Sequence, residues 1–219
     1  MRNDLYRVLP FIFGGGCLLV GCGAGDATEA SASELNPVEA ALVHANEPFI
    51  NRDELLVPKA APPFALTDQN GGPVTNEDLA GKVALIGFVF TSCPDICRNI
   101  TATYLDMQDE FADDVDEDDL ELILITTDPE RDTTEQAKKY TEGLGGKWAF
   151  LTGTADELDK VWNSYHVTVD QHVDAEKSKH SWMVVLIDRS SKIRIRYVGQ
   201  DVPRDILTAD VRSMLEQKP

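Results

Sequence analysis

The feature that most constrains this chain is an unbroken apolar run that leads directly into a pair of cysteines. Residues 83–90 are VALIGFVF, and the chain continues Thr91-Ser-Cys-Pro-Asp-Ile-Cys97. An apolar run of this length is typical of a strand buried on both faces, as in a parallel sheet. Residues 96–111 carry apolar side chains at helical spacing, at Ile100, Tyr104, Met107 and Phe111. The sequence therefore predicts that the cysteines lie where a central strand gives way to a helix.

The remaining patterns alternate between strand and helix. Strands are predicted at residues 64–67, 122–126, 148–151, 183–187 and 193–198, and helices at 134–140, 155–165 and 204–215. Residues 113–119 are very acidic and are predicted to form a loop. Trp148, Trp162 and Tyr165 are expected in the core. This order indicates a thioredoxin-like α/β fold, in which helices flank a central mixed sheet, with insertions.

The N-terminal residues have the layout of a secretory signal. Arg2 and Arg7 precede an apolar run at residues 8–20 that is short and glycine-rich for a membrane span. The run ends Leu19-Val-Gly-Cys22, which resembles the bacterial lipobox, where the cysteine is acylated and becomes the mature N-terminus. We therefore expect a lipoprotein signal peptide at 1–21, a lipid-anchored tether at 22–62 and the folded domain at 63–219. The domain would then lie on the extracytoplasmic, periplasmic side of a membrane in a bacterial cell envelope.

The charge of the chain excludes one class of partner. It has 38 acidic residues against 20 Lys and Arg, a formal net charge of -18. Such a surface repels nucleic acid and anionic lipid headgroups, and it attracts cations, including metal ions. We therefore expect no nucleic-acid partner, and any membrane attachment should come from the acyl chains.

Cys93 and Cys97 are the two cysteines left for the folded domain, because Cys17 and Cys22 lie in the targeting segment. The loop between them is too short for a useful structural disulfide, so the pair is interpreted as a redox couple or a metal clamp. A helix N-terminus favours the thiolate, and positions i and i+4 share one helical face. Both sulfurs would then reach one metal ion or join in a disulfide. Thiolates select soft ions such as copper(I), whereas structural zinc generally requires four ligands.

A copper(I) site built on two sulfurs calls for a third donor, and three histidines are candidates. His166 ends a predicted helix, where it would cap backbone carbonyls. His172 lies in a polar stretch. His180 immediately precedes a predicted strand, whose start would lie beside the cysteine turn in a thioredoxin-like sheet.

The chain resembles the Sco/SenC copper proteins of cytochrome oxidase assembly over nearly the whole domain. The matching segments are Phe64-Ala-Leu-Thr-Asp68, Leu79-Ala-Gly-Lys82, Phe90-Thr-Ser-Cys-Pro-Asp-Ile-Cys97, Thr127-Asp-Pro-Glu-Arg-Asp132, Leu151-Thr-Gly-Thr154, His180-Ser181, Leu186-Ile-Asp188 and Tyr197-Val-Gly-Gln200. The resemblance implies that Cys93, Cys97 and His180 bind copper, as Cu(I), Cu(II) or both. It also implies two partners, a copper donor protein and the copper-bearing subunit of cytochrome c oxidase. The family typically has a proline after the second cysteine, where this chain has Arg98.

Two functions are compatible with these residues, and a third is disfavoured by them. The first is a metallochaperone that delivers copper to the copper A centre of the oxidase. The second is a thiol-disulfide reductase that keeps the oxidase's copper-ligand cysteines reduced, which needs Cys93 and Cys97 as its redox pair but not His180. The third, a peroxiredoxin-type peroxidase, wants Thr or Ser three residues before its cysteine, and Phe90 occupies that position. Whether the chain is an enzyme therefore stays open, with the chaperone preferred.

Overall fold

The structure is a computed structural model that describes residues 50–93, 96–169, 183–199 and 203–217. All of them belong to one compact unit, Asn46–Pro219. The predicted signal peptide, Cys22, His172 and His180 lie outside the described residues. No helix within the described ranges is both long and apolar enough to cross a bilayer.

Six of the eight described strands form one mixed sheet with helices on both faces, which confirms the thioredoxin-like α/β prediction. The strands are β1 Ile50–Ala60, β2 Ala65–Thr67, β3 Pro73–Thr75, β4 Val83–Val89, β5 Leu120–Thr126, β6 Ala149–Leu151, β7 Met183–Ile187 and β8 Lys192–Gly199. The helices are α1 Ile96–Glu110, α2 Ala112–Asp116, α3 Thr134–Leu144, α4 Ala155–Tyr165 and α5 Arg204–Leu215, with a 3-10 turn at Asn76–Leu79. The sheet order is β1-β8-β7-β4-β5-β6, while β2 and β3 form a separate hairpin.

Strand β4 lies inside the sheet, between β7 and β5, and all seven of its residues are buried. It runs parallel to β5 and antiparallel to β7, so the sheet is mixed at its middle. One face packs against α1, α3 and α5, and the other against α4 and the β2–β3 hairpin. Trp148, Trp162 and Tyr165 are buried, as predicted. The carboxyl end of β4 therefore has hydrophobic core on both sides.

The sheet begins earlier in the chain than the sequence analysis predicted. Strand β1 pairs antiparallel with β8 and forms the sheet edge, although its residues fell within the predicted tether. Arg52 donates two hydrogen bonds to Asp210 of α5, at 2.6 and 2.7 Å, and the Tyr197 hydroxyl donates to the same carboxylate at 2.6 Å. This cluster attaches β1 to the domain, so the folded part starts before the predicted boundary at Pro63.

The acidic segment after α1 is also more ordered than the predicted loop. Residues Ala112–Asp116 form the short helix α2, with Asp113 and Asp114 in its first turn. Acidic side chains near a helix N-terminus are favoured by the helix dipole. Val115 packs against the core below. The chain turns two residues after the end of this helix, at Asp118, whose φ of 65° is left-handed.

Local signals fix the ends of α3, the helix that packs beside α1. The Thr133 hydroxyl accepts a hydrogen bond from the Gln136 N–H at 3.3 Å, which caps the N-terminus. Gly145 ends the helix with φ 67°, a conformation that glycine adopts without steric penalty. The segment thus forms a helix longer than the predicted residues 134–140.

Candidate functional site

The cysteine pair lies at the carboxyl end of β4, on the turn that leads into α1. The Cys93 N–H donates to the Phe90 carbonyl at 3.2 Å. The Cys97 N–H then donates to Cys93 Sγ at 3.5 Å. This contact places the first sulfur beside the N-terminal turn of a 15-residue helix. N–H groups of a first helical turn have no partner within the helix, so they stabilise a thiolate there.

The two thiols have different surroundings. Cys97 is only 1% exposed, whereas Cys93 is half-buried. The pKa of Cys97 is raised above its ordinary value. The largest cause is a hydrogen bond with Cys93, and the second is burial. Cys93 is therefore the sulfur that an incoming molecule reaches, and Cys97 keeps its proton until a cation or a new bond compensates.

A buried carboxylate holds the start of the cysteine turn. The side chain of Asp132 is fully buried and accepts hydrogen bonds from Thr91 and Thr126. Its donors are the Thr91 N–H at 3.1 Å, the Thr91 hydroxyl at 2.5 Å and the Thr126 hydroxyl at 2.7 Å. Burial raises the pKa of Asp132, although these hydrogen bonds oppose the shift. This network ties the turn to the end of β5.

A second chain of polar groups supports Cys97 from the helix side. The Thr101 hydroxyl donates to the Cys97 carbonyl at 2.9 Å and lies 2.7 Å from the Tyr140 hydroxyl. Burial is the main reason that the pKa of Tyr140 is raised. Helix α3 is thereby connected to the first turn of α1, and both helices border the cysteine turn.

The structure describes two of the three predicted ligands. It brings Cys93 and Cys97 together, while the third predicted ligand, His180, lies outside the described residues, as does Asp95. Within the described part of the chain, no cluster of three or more His, Cys, Asp or Glu could hold a metal ion. His166 caps α4, as predicted: its own N–H donates to the carbonyls of Trp162 and Asn163. The two cysteines therefore lie together, and the assignment of all three residues as copper ligands stays a prediction.

Sequence reasoning assigned no role to several residues of the site. Asp132 belongs to the segment Thr127-Asp-Pro-Glu-Arg-Asp132, in which the buried Asp128 forms an ion pair with the exposed side chain of Arg131. A carboxylate soon after a buried strand, with Thr126 at the strand end, was the available signal. No such signal marked Tyr140 or Thr101, because each lies in a segment with the pattern of an ordinary amphipathic helix. Their connection to the site depends on how α3 packs against α1.

Comparison with known proteins identifies the family of this chain. The SCO1/SenC family model matches residues 53–216, well over half of the chain. The chain belongs to the SCO1/SenC family. It is 30% identical over 158 residues to the SCO1 protein homolog of Bacillus subtilis, covering 69% of this chain and 80% of the relative. It is 39% identical over 105 residues to the mitochondrial SCO1 homolog of mouse, covering 48% of this chain and only 37% of the mouse protein.

Solved structures of the same family have the same fold. Copper-bound ScoI of Bradyrhizobium japonicum superposes with a TM-score of 0.63 at 30% identity, covering 71% of this chain and 99% of that chain. BsSco, described as a Sco-family cytochrome c oxidase assembly protein with a disulfide switch, gives a TM-score of 0.61 at 25% identity over 76% and 98% of the two chains. A SCO1/SenC family lipoprotein of Bacillus anthracis gives 0.62 at 25% identity over 74% and 99%.

Proposed function

We propose that this protein binds copper through Cys93, Cys97 and His180 and delivers it to the copper A centre of a cytochrome c oxidase subunit. The observation that carries the proposal is the contact between the Cys97 N–H and Cys93 Sγ, which gathers both sulfurs at one helix end. Two thiolates suit a soft copper(I) ion, and an imidazole completes a three-coordinate site that also accepts copper(II). A copper-bound relative of the same fold supports copper as the cargo.

The second candidate function, reduction of the oxidase's cysteines, has support of its own. Cys93 is accessible and Cys97 is buried with a raised pKa, an arrangement suited to an attacking and a resolving thiol. Attack by Cys93 on a client disulfide would give a mixed disulfide, which Cys97 would then resolve by forming the Cys93–Cys97 disulfide. This reaction needs no histidine, so His180 distinguishes the two functions.

The test is His180→Ala, expressed in copper-limited cells. The variant should lose the copper(II)–thiolate absorption, because a two-sulfur site satisfies copper(I) better than copper(II), while the Cys93–Cys97 redox couple persists. Cells that express this variant should also fail to mature the oxidase. His172→Ala, which removes another histidine eight residues earlier in the chain, serves as the control and should behave as wild type. Full oxidase maturation with His180→Ala would reject copper delivery in favour of disulfide reduction.

We also propose that the mature protein is anchored through an acylated Cys22, on the pattern Leu19-Val-Gly-Cys22. A family member described as a lipoprotein supports this attachment. Mass spectrometry of the membrane fraction should find a mature N-terminus at a lipid-modified Cys22, and Cys22→Ser should release the protein from membranes. Normal processing and membrane retention of Cys22→Ser would show that another segment holds the protein there.

A further inference from the structure

The buried carboxylate of Asp132 is stabilised by hydrogen bonds rather than by a cation. Asp132 is 0% exposed, and within the part of the chain that the structure describes no ion pair involves it. Its charged neighbour Asp128 is itself acidic and raises its pKa. A buried charge without a counter-ion is tolerated only where hydrogen bonds replace its hydration. The donors of those hydrogen bonds therefore indicate what the carboxylate does.

Asp132 is fixed by the scaffold on the side away from the cysteine turn. Its N–H donates to the Asp128 carbonyl at 2.9 Å, and its own carbonyl accepts from the hydroxyl of Thr152, just after β6, at 2.8 Å. The Thr126 hydroxyl, at the end of β5, donates to one carboxylate oxygen at 2.7 Å. Thr126 lies opposite Val89 in the parallel pairing of β5 with β4. The carboxylate is thus attached to the strand ends that border the turn.

The other hydrogen bonds described for this carboxylate come from Thr91, two residues before Cys93. The Thr91 N–H donates at 3.1 Å and the Thr91 hydroxyl at 2.5 Å. Gln136 of α3 donates its Nε2 to the same hydroxyl oxygen at 3.3 Å. Because the backbone and the side chain of Thr91 are both held, the direction in which the chain leaves β4 toward Cys93 is fixed as well.

The fixed turn brings the first sulfur to helix α1. The Cys93 N–H donates to the Phe90 carbonyl at 3.2 Å, and the Cys97 N–H donates to Cys93 Sγ at 3.5 Å. Two groups that are held close together before they react lose little entropy on joining, so each has a high effective concentration at the other. A looser turn would lose more conformational entropy when the two sulfurs join.

We propose that Asp132 is a positioning residue of the Cys93–Cys97 redox couple, which acts by holding Thr91 and thereby sets the effective concentration of the two thiols. The inference deepens the second candidate function, on which it rests, by adding a residue to the disulfide exchange. In that exchange Cys93 attacks a partner disulfide and one partner thiolate leaves. Cys97 then attacks the Cys93 sulfur and the second partner thiolate leaves. Two electrons pass to the partner, and its two thiolates take up the protons that the protein thiols release.

The experiment equilibrates the full chain with glutathione and glutathione disulfide in graded ratios at one pH. Cys17 and Cys22 are changed to Ser so that only the pair reacts, and alkylation followed by mass spectrometry gives the fraction in the disulfide form. Thr91→Val removes the hydroxyl donor and keeps the charge of Asp132, whereas Asp132→Asn replaces the charged acceptor with a neutral amide. Each should lower the equilibrium constant for disulfide formation about two- to tenfold, the change expected when one hydrogen bond is lost. A tenfold change corresponds to about 30 mV in the reduction potential.

Two further variants separate positioning from a general loss of stability. Thr91→Ser keeps the hydroxyl and should restore the wild-type equilibrium constant. Thr141→Val removes another buried threonine hydroxyl, which accepts from the Trp148 indole N–H at 3.1 Å and lies outside this network. It should lower the urea concentration at which the reduced protein unfolds and leave the disulfide equilibrium unchanged. If Asp132→Asn does not fold, the Thr91 variants and Thr141→Val still decide the matter.

Three results would overturn the positioning proposal. They are an unchanged equilibrium constant in Thr91→Val, an equal loss in Thr141→Val, or a loss in Thr91→Ser as large as that in Thr91→Val. A change in Asp132→Asn without one in Thr91→Val would assign the effect to the charge and reject positioning through Thr91. Wild-type protein that forms no Cys93–Cys97 disulfide would reject the redox function together with the proposal, whereas unchanged variants of a protein that does form it reject the proposal alone.

Discussion

Replacing either Cys93 or Cys97 with Ser is expected to abolish tight copper binding by the purified protein. Residues that merely orient a metal ligand already change affinity about 10- to 100-fold when removed, so losing a sulfur ligand should exceed that. Both single variants should show the loss, because the Cys97 N–H contact with Cys93 Sγ holds the two residues at one site. Competition with a chromophoric copper(I) chelator measures the affinities.

Two comparisons make that result specific. Ser92→Ala changes an exposed neighbour on the same turn and should bind copper as wild type does. Binding should also weaken in acid, because the raised pKa of Cys97 means that the metal must displace a proton from this thiol. Undiminished affinity in Cys97→Ser would show that the buried thiol is not a ligand and that the site is built on Cys93 with other donors.

Much of the fold could be predicted because its elements carry strong local signals. The predicted bounds 155–165, 183–187 and 204–215 agree with α4, β7 and α5 residue for residue. Helix α4 has a capping box, in which Thr154 and Glu157 satisfy each other's backbone N–H groups. Strand β7 is wholly buried and apolar. Such patterns need no tertiary information to be recognised.

Strand β1 could not be predicted from the local sequence pattern. Its sequence includes Arg52, Asp53, Glu54 and Pro58 and lacks a clear alternation of apolar and polar residues. The strand is stabilised by a residue distant in the chain, because Arg52 donates a hydrogen bond to Asp210, 158 residues away. An edge strand stabilised by a long-range ion pair has no recognisable pattern within its own residues. The predicted tether therefore extended too far.

The same distinction applies to the candidate site. The spacing of Cys93 and Cys97 and the adjacent buried strand were sufficient to place the pair at a strand–helix junction. Asp132 lies 41 residues from Thr91, and only the parallel pairing of β4 with β5 brings the two together. The sequence therefore predicts the position of the cysteine pair well, and predicts poorly the buried network that holds it. His180 stays a prediction on the family resemblance.

Gly87, in the middle of β4, has a packing role that is not evident from the apolar sequence around it. A methyl group at this position would lie 2.9 Å from the Tyr104 hydroxyl oxygen and 3.3 Å from Ile100 Cγ2. Tyr104 cannot move aside easily, because its ring is fully buried and its hydroxyl donates to the carbonyls of Leu85 and Ile123 at 2.9 and 3.0 Å. Both Ile100 and Tyr104 belong to α1, the helix that carries Cys97.

Gly87→Ala is therefore expected to lower the free energy of unfolding by about 1–3 kcal/mol, the usual range for overpacking a core. Gly143→Ala is the matched control: this position lies within α3 and a methyl group there meets nothing within 4 Å. That variant should gain about 0.5–1 kcal/mol, because alanine loses less entropy than glycine in a helix. Urea unfolding measures both changes, and the opposite signs are the prediction. A Gly87→Ala protein as stable as wild type would contradict this prediction and would mean that α1 shifts away from the sheet at little cost in free energy. The copper affinity of the same variant would then show whether the cysteine turn tolerates that movement.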